Sequence, residues 1–214
     1  MRDAVIQRIL EEKVIAIARG YSKEECLGLA KALYAGGVKL LELTFDQKSE
    51  AARQETAEIL QLLNRELGQQ MCFGAGTVTT VEMVHLAKHA GAQFIISPDM
   101  DPAVIKATVE ADMVSIPGVL TPTEMKQAHV AGADFVKVFP ASSMGPGYIK
   151  AVAAPLNQIR MLAVGGVDGS NIGQYLAAGA VGAGVAGCLF KKEWIRAGQW
   201  EKITQACKDF RRCL

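Results

Sequence analysis

The sequence predicts an α/β protein that folds as a single closed (β/α)8 barrel of the TIM type. Short apolar segments rich in β-branched residues alternate with segments of helical periodicity. Eight such strand–helix units follow one another, and each is about twenty or slightly more residues long. The chain has 214 residues, which is near the lower size limit of this fold. Residues 1–214 are therefore expected to form one domain with short loops.

The elements are predicted in the order that such a barrel requires. Residues 3–12 have the apolar periodicity of a short N-terminal helix, which precedes the first strand. The strands are expected at residues 14–19, 38–45, 71–78, 93–97, 113–116, 134–140, 160–164 and 182–188. The helices after them are expected to begin at or near Ser22, Ser49, Thr79 or Thr80, Pro102, Pro122, Pro146, Ser170 and Lys192, with the last one running to the C-terminus. A doubly wound open sheet is the alternative, and it is weaker because no Gly-x-Gly-x-x-Gly fingerprint follows the first strand.

Composition and charge argue against several classes of function. The net charge is +1 and no basic run is present, so a nucleic-acid partner is not expected. No apolar run has the length of a membrane span, and the N-terminus lacks the apolar core of a signal peptide. The five cysteines are odd in number and never in a Cys-x-x-Cys spacing, so free thiols in a cytoplasmic protein are expected. His85 and His89 lack the glutamate of a His-Glu-x-x-His helix, and no metal site is predicted.

Lys137 and Glu42 are the two ionisable residues that lie well inside apolar strands. Strand alternation places Lys137 on one face with Phe135 and Phe139, and Glu42 on one face with Leu40. If both faces line the barrel interior, the two charges can meet at the carboxyl ends of the strands, where such barrels hold their active sites. Burial lowers the pKa of a lysine, and a neutral amine can form a Schiff base with a ketone. A buried ion pair without chemistry is the alternative.

Glycine-rich segments lie at the ends of the last two predicted strands, at residues 165–169 directly after one and at residues 184–188 within the other. Glycines let backbone N–H groups approach an anion, and the loops after strands 7 and 8 are the usual phosphate site of this fold. Asp168 would repel an anion there, so we expect its side chain to turn toward the following helix. Arg19 ends the first strand and is a further candidate for binding an anionic group.

Six segments carry a resemblance to a known family, and they lie at residues 35–44, 74–78, 91–98, 116–124, 135–140 and 165–167. With them the chain resembles, over nearly its whole length, the KDPG/KHG aldolases. These are the 2-keto-3-deoxy-6-phosphogluconate and 4-hydroxy-2-oxoglutarate aldolases. The resemblance implies a class I aldolase that needs no metal or other cofactor. Its substrate would be a small 2-keto-4-hydroxy acid, which it would cleave to pyruvate and an aldehyde.

The resemblance also implies roles for individual residues. Lys137 matches the family's Schiff-base lysine and Glu42 its general acid and base. The substrate-binding positions that it implies are Arg19, Thr77, Pro98, Phe139, Gly165, Gly166, Gly187 and Cys188. Members of the family are commonly trimers, so a homotrimer is expected.

Three positions depart from the pattern of members that handle phosphorylated substrates. Val164 stands where they have threonine, Cys188 where they have serine, and Asp46 where some have arginine. Each change removes a group that could bind phosphate, and Asp46 is expected to add repulsion. The sequence thus leaves open whether the substrate is phosphorylated. A phosphate-binding barrel isomerase or synthase, and a barrel that binds an organic anion without catalysis, also stay open as alternatives.

Overall fold

The computed structural model describes residues 2–214, which form a parallel sheet of short strands surrounded by helices. The strands are β1 (Val14–Ala18), β2 (Leu40–Thr44), β3 (Cys72–Gly76), β4 (Phe94–Ile96), β5 (Val114–Ile116), β6 (Gly118–Val119), β7 (Val136–Val138), β8 (Met161–Val164) and β9 (Ala180–Val185). Their spatial order is β5-β4-β3-β2-β1-β9-β8-β7-β6, and every recorded pairing is parallel.

The barrel closes because β5 and β6 are two halves of one strand. They are separated only by Pro117, which has no N–H group to donate to a neighbouring strand. The N–H group of Lys137 donates to the carbonyl oxygen of Pro117 at 2.8 Å, and that of Phe135 donates to Ser115 at 3.3 Å. Eight barrel strands therefore result. This confirms the predicted (β/α)8 barrel and excludes the doubly wound open sheet.

The helices are α1 (Arg2–Glu12), α2 (Lys23–Ala35), α3 (Glu50–Leu67), α4 (Val81–His89), α5 (Pro102–Glu110), α6 (Pro122–Val130), α7 (Ala141–Ala153), α8 (Ile172–Ala177), α9 (Lys192–Arg196) and α10 (Trp200–Arg211). Capping residues close in sequence fix where several of these helices begin. Ser22 and Thr121 form capping boxes with the glutamates three residues later, and Thr80, not Thr79, caps α4.

Two predicted helices differ from the structure. The helix expected from Pro146 already begins at Ala141, and Gly145 interrupts it with φ 73° and ψ 167°. The helix expected from Lys192 to the C-terminus is two helices, α9 and α10, with Gly198 between them at φ 61°. In both cases a glycine with positive φ interrupts the helix, and the residues on either side of that glycine are helical.

The apolar side chains form two clusters, one outside the barrel wall and one inside it. The outer cluster lies between the strands and the surrounding helices. The inner cluster contains Leu40, Phe94 and Phe135, together with Val5 and Ile9 of α1. Since Leu40 and Phe94 are the first residues of their strands, α1 covers the end of the barrel at which the strands begin. The opposite end, where the strands finish, is left for a functional site.

Ion pairs fix α1 at both of its ends. At the start of the helix, Arg2 contacts Asp134 at 2.8 Å. At its end, the buried Glu12 contacts Lys39 at 2.8 Å and Arg211 of α10 at 3.2 Å. Removing one partner from a buried charge is costly, so these contacts hold the helix in place across the base of the barrel.

Candidate active site

A pocket of about 660 Å³ lies at the carboxyl ends of the strands. All ten residues predicted as site residues line it, namely Arg19, Glu42, Thr77, Pro98, Lys137, Phe139, Gly165, Gly166, Gly187 and Cys188. Sequence reasoning missed Ile17, which forms an apolar part of the wall together with Val164 and Gly184. The available signal was alternation on β1, because Ile17 follows the buried Ile15 by two residues.

Lys137 projects from the central residue of β7 into this pocket. Its side chain is half-buried, and its Nζ lies 4.8 Å from the centroid of the Phe139 ring. Burial lowers the pKa of Lys137 below that of an ordinary lysine, the Glu42 carboxylate opposes this shift, and the nearby Arg19 adds to it. The lysine is therefore closer to the neutral, nucleophilic form than a surface lysine is.

Glu42 lies on β2 with only 3% of its surface exposed. Its Oε1 accepts a hydrogen bond from the Thr44 hydroxyl at 3.3 Å, whereas its Oε2 has no hydrogen-bond partner within residues 2–214. Burial raises the pKa of Glu42, while Lys137, Thr44 and Arg19 oppose the increase. An unpartnered oxygen on a buried carboxyl group whose pKa is raised is suited to take and return a proton.

Gly76 on β3 makes room for the Glu42 carboxyl group. A Cβ atom at position 76 would lie 1.6 Å from Oε1 of Glu42 and 2.3 Å from its Cδ. Residues 42 and 74 are register partners in the β2–β3 pairing, as are residues 44 and 76, so the backbone cannot easily yield. The absence of a side chain at Gly76 therefore allows the carboxyl group to lie where it does.

Thr77 and Arg19 meet at the rim of the pocket. The Arg19 guanidinium donates to the Thr77 hydroxyl at 3.2 Å. Thr77 has φ 55°, a left-handed conformation that a β-branched residue rarely adopts. Conformations of this kind persist where surrounding contacts enforce them, and they are concentrated at functional sites.

The loops after β8 and β9 line the pocket and contain backbone N–H groups without a main-chain acceptor. Gly165 and Gly166 have φ +92° and +74°, and a Cβ at position 166 would lie 2.4 Å from Cβ of Ser142. Among the described residues, the N–H groups of Gly166, Val167 and Gly187 donate to no main-chain acceptor. Successive free N–H groups of this kind form an anion-binding surface.

Two acidic residues that the sequence places near the site, Asp168 and Asp46, each accept hydrogen bonds from their own loop. Asp168 lines the pocket, but its Oδ1 accepts from the N–H and hydroxyl groups of Ser170 at 2.8 and 2.6 Å, which lowers the pKa of Asp168. Asp46 does not line this pocket. Its carboxylate accepts from the Lys48 N–H at 2.8 Å in the loop after β2, so the repulsion expected from Asp46 would act from outside the pocket and stays a prediction.

The Cys188 thiol is the remaining departure from the phosphate-handling pattern. It lies 3.8 Å from the carbonyl oxygen of Val167, a contact in which the thiol donates. Burial raises the pKa of Cys188 to about 11, so the thiol is protonated near neutral pH. Cys188 therefore offers the pocket a neutral, weakly polar surface.

The chain is similar to known proteins that agree with this geometry. The chain matches the family described as KDPG and KHG aldolase over residues 5–206. It is 36% identical over 184 residues to a probable 2-dehydro-3-deoxy-6-phosphogalactonate aldolase of Rhizobium meliloti (strain 1021), covering 85% of this chain and 84% of the relative. It is 36% identical over 199 residues to the 2-dehydro-3-deoxy-6-phosphogalactonate aldolase of Escherichia coli (strain K12), covering 92% of each.

A solved structure adds chemical detail to these similarities. KDPG aldolase from Legionella pneumophila, with pyruvate captured at low pH as a covalent carbinolamine intermediate, has a TM-score of 0.82 to this chain. The two are 30% identical, and the match covers 92% of each chain. A carbinolamine is the first covalent adduct of an amine with a ketone.

The barrel and its lysine-containing pocket define a pyruvate-forming class I aldolase, a carbon–carbon lyase. The chain belongs to the KDPG/KHG aldolase family. The fold, the family and the reaction class predicted from the sequence are thus confirmed. Within residues 2–214, no helix combines the length and the apolar composition that crossing a bilayer requires.

Proposed function

We propose that Lys137 is the Schiff-base nucleophile of this aldolase, that Glu42 is its general acid and base, and that 2-dehydro-3-deoxy-6-phosphogalactonate is its preferred substrate. The observation that carries the proposal is that Lys137 and Glu42 line the same pocket. Burial there lowers the pKa of Lys137 and raises that of Glu42, which favours the neutral form of each. The substrate is proposed because two relatives at 36% identity are described as aldolases for this sugar acid.

Catalysis begins at the ketone of the substrate. The neutral Lys137 amine attacks C2 and forms a carbinolamine, and Glu42 supplies the proton with which water leaves to give the protonated imine. The imine then accepts the electron pair of the C3–C4 bond as that bond breaks. Glu42, directly or through a water molecule, takes the proton of the C4 hydroxyl group, which becomes the aldehyde. Protonation of the resulting enamine at C3 and hydrolysis of the imine release pyruvate and regenerate Lys137.

The two ends of the substrate are held by different parts of the pocket. Arg19 and Thr77 bind the carboxylate next to the reacting ketone, where a guanidinium and a hydroxyl supply charge-assisted hydrogen bonds. Pro98 and Phe139 form walls beside the reacting carbons. The phosphate lies at the opposite side, on the N–H groups of the loops that contain Gly166 and Gly187.

An unphosphorylated substrate, 4-hydroxy-2-oxoglutarate, is the second candidate. The observation that favours it is the chemistry of Val164 and Cys188, which offer no hydroxyl group to a phosphate. A phosphate oxygen left without a donor in this pocket would weaken binding. The backbone N–H groups favour the phosphorylated substrate, so a direct comparison of substrates separates the two.

Purified enzyme is expected to release pyruvate from 2-dehydro-3-deoxy-6-phosphogalactonate more efficiently than from two other substrates. Its kcat/KM should be about tenfold or more above that for the C4 epimer, 2-dehydro-3-deoxy-6-phosphogluconate, and above that for 4-hydroxy-2-oxoglutarate. A coupled assay of pyruvate over the three substrates measures this, with the Lys137→Met variant as the blank. Equal or greater efficiency with 4-hydroxy-2-oxoglutarate would establish the second candidate instead. A preference for 2-dehydro-3-deoxy-6-phosphogluconate would refute the C4 configuration of the proposed substrate.

The rate at which the enzyme exchanges the methyl protons of pyruvate with solvent is expected to rise with pH and to level off below the ordinary lysine range. Because burial lowers the pKa of Lys137, the neutral amine that attacks the ketone is present at a lower pH than for a free lysine. Proton NMR in deuterated buffer measures the rate. A profile that climbs until about pH 10.4, the ordinary lysine pKa, would contradict the lowered pKa.

The proposal includes a homotrimer in the cytoplasm. Apolar side chains of Val130 and Met144 are exposed, at 77% and 38%, and assembly would remove such surface from water. The five cysteines are all free, which suits a reducing compartment. A solution mass equal to that of one 22.9 kDa chain would overturn the trimer.

A further inference from the structure

Gln47 connects two loops at the rim of the pocket without lining the pocket itself. It lies between β2 and α3, five residues after Glu42. Its side-chain Nε2 donates to the carbonyl oxygen of Thr77 at 2.8 Å and, at 3.4 Å, to that of Phe45. Its Oε1 accepts from the Thr79 hydroxyl at 3.3 Å. One amide thus joins the loop after β2 to the loop after β3.

Gln47 contacts Thr77, whose backbone conformation is unfavourable for its residue type. Thr77 is β-branched and has φ 55°, so an external contact is needed to keep its peptide in that conformation. The Gln47 amide supplies that contact at the carbonyl of Thr77. The hydroxyl of the same residue accepts from Arg19 at 3.2 Å, so the chain of contacts runs from Gln47 through Thr77 to Arg19.

We propose that Gln47 is a positioning residue, whose amide holds Thr77, and through it Arg19, in the geometry that binds the carboxylate of pyruvate and of the substrate. The inference rests on the proposed carboxylate-binding role of Arg19 and Thr77. It requires a donor at position 47, because a carbonyl oxygen can only accept. Glutamate has the same size but, when ionised, only accepts, so Gln47→Glu removes the donor and leaves the volume.

Pyruvate trapping by borohydride separates affinity from reactivity. Enzyme is incubated with a series of pyruvate concentrations, reduced, and analysed for the mass added at Lys137. The half-saturating pyruvate concentration is expected to rise about 3- to 10-fold in Gln47→Glu and Gln47→Ala, the weight of one hydrogen bond, with the trapped fraction at saturation unchanged. Gln54→Ala, an exposed glutamine on α3, is the matched control and should stay within about twofold of the wild type.

Two outcomes would overturn the inference. One is an unchanged half-saturating concentration in both Gln47 variants, including the case in which only the melting temperature falls, since Gln47 would then serve stability alone. The other is a reduced trapped fraction at saturation with unchanged half-saturation, which would mean that Gln47 affects Lys137 and not the carboxylate site. Failure of the wild type to be trapped at Lys137 would instead refute the proposed nucleophile, so the two failures are distinguishable.

Discussion

Lys137→Met is expected to abolish cleavage, with kcat reduced by about 10⁴-fold or more, as is usual when a covalent nucleophile is removed. Methionine preserves much of the volume and apolar contact of the lysine side chain beside Phe139, so the barrel should remain folded. It cannot form an imine, however, and among the described residues that line the pocket no other one carries an amine. The measurement is pyruvate release under single-turnover conditions, together with the mass of the borohydride-reduced enzyme.

The matched control for this variant is Lys150→Met, an exposed lysine on α7. It should retain full activity and the pyruvate adduct at position 137. If Lys137→Met were still to release pyruvate at a tenth of the normal rate, or if wild-type enzyme carried the adduct on another lysine, the proposed nucleophile would be wrong.

Gly76→Ala is expected to lower kcat by about 10² to 10⁴-fold although the residue bears no functional group. The added Cβ would lie 1.6 Å from Oε1 of Glu42, so the carboxyl group must leave its position in the pocket. The effect should therefore equal that of Glu42→Gln, which removes the same proton-transfer group directly. Pyruvate release at saturating substrate measures it, and circular dichroism confirms that the variant is folded.

A double variant makes the test of Gly76 sharper. If Gly76 acts only through Glu42, Gly76→Ala combined with Glu42→Gln should be no slower than Glu42→Gln alone. Additive losses would show that position 76 matters for another reason. Gly147→Ala is the control, because a Cβ there meets nothing within 4 Å, and it should be nearly neutral.

Much of the fold was predictable because its signals are local. The alternation of strands and helices, and the capping boxes at Ser22 and Thr121, depend on residues close together in the chain. The position of Lys137 and Glu42 also followed from the sequence. Alternation gives the face of each strand, and the barrel rule gives the end at which the site lies.

The rest depends on contacts between segments far apart in the chain. The apolar wall of Ile17 and Val164 is made by β1 and β8, which both border β9, so the side chains that meet there come from segments far apart in the chain. The contact of Gln47 with Thr77 spans 30 residues. For Asp46, residue type alone indicated a charge in the pocket, but a turn in the loop directs the carboxylate to the N–H group of Lys48. The catalytic roles themselves stay predictions until they are tested.

The helix that covers the base of the barrel gives the pocket a closed floor, and this has a kinetic consequence. Molecules enter and leave only at the end where the strands finish, since α1 and the side chains packed on it fill the other end. In the proposed reaction the pyruvate half stays bonded to Lys137 after the C3–C4 bond breaks, whereas the aldehyde half is no longer bonded to the enzyme. We therefore expect ordered product release, with the aldehyde first and pyruvate last. In the reverse direction, an aldehyde that arrived before pyruvate would obstruct the path to the lysine.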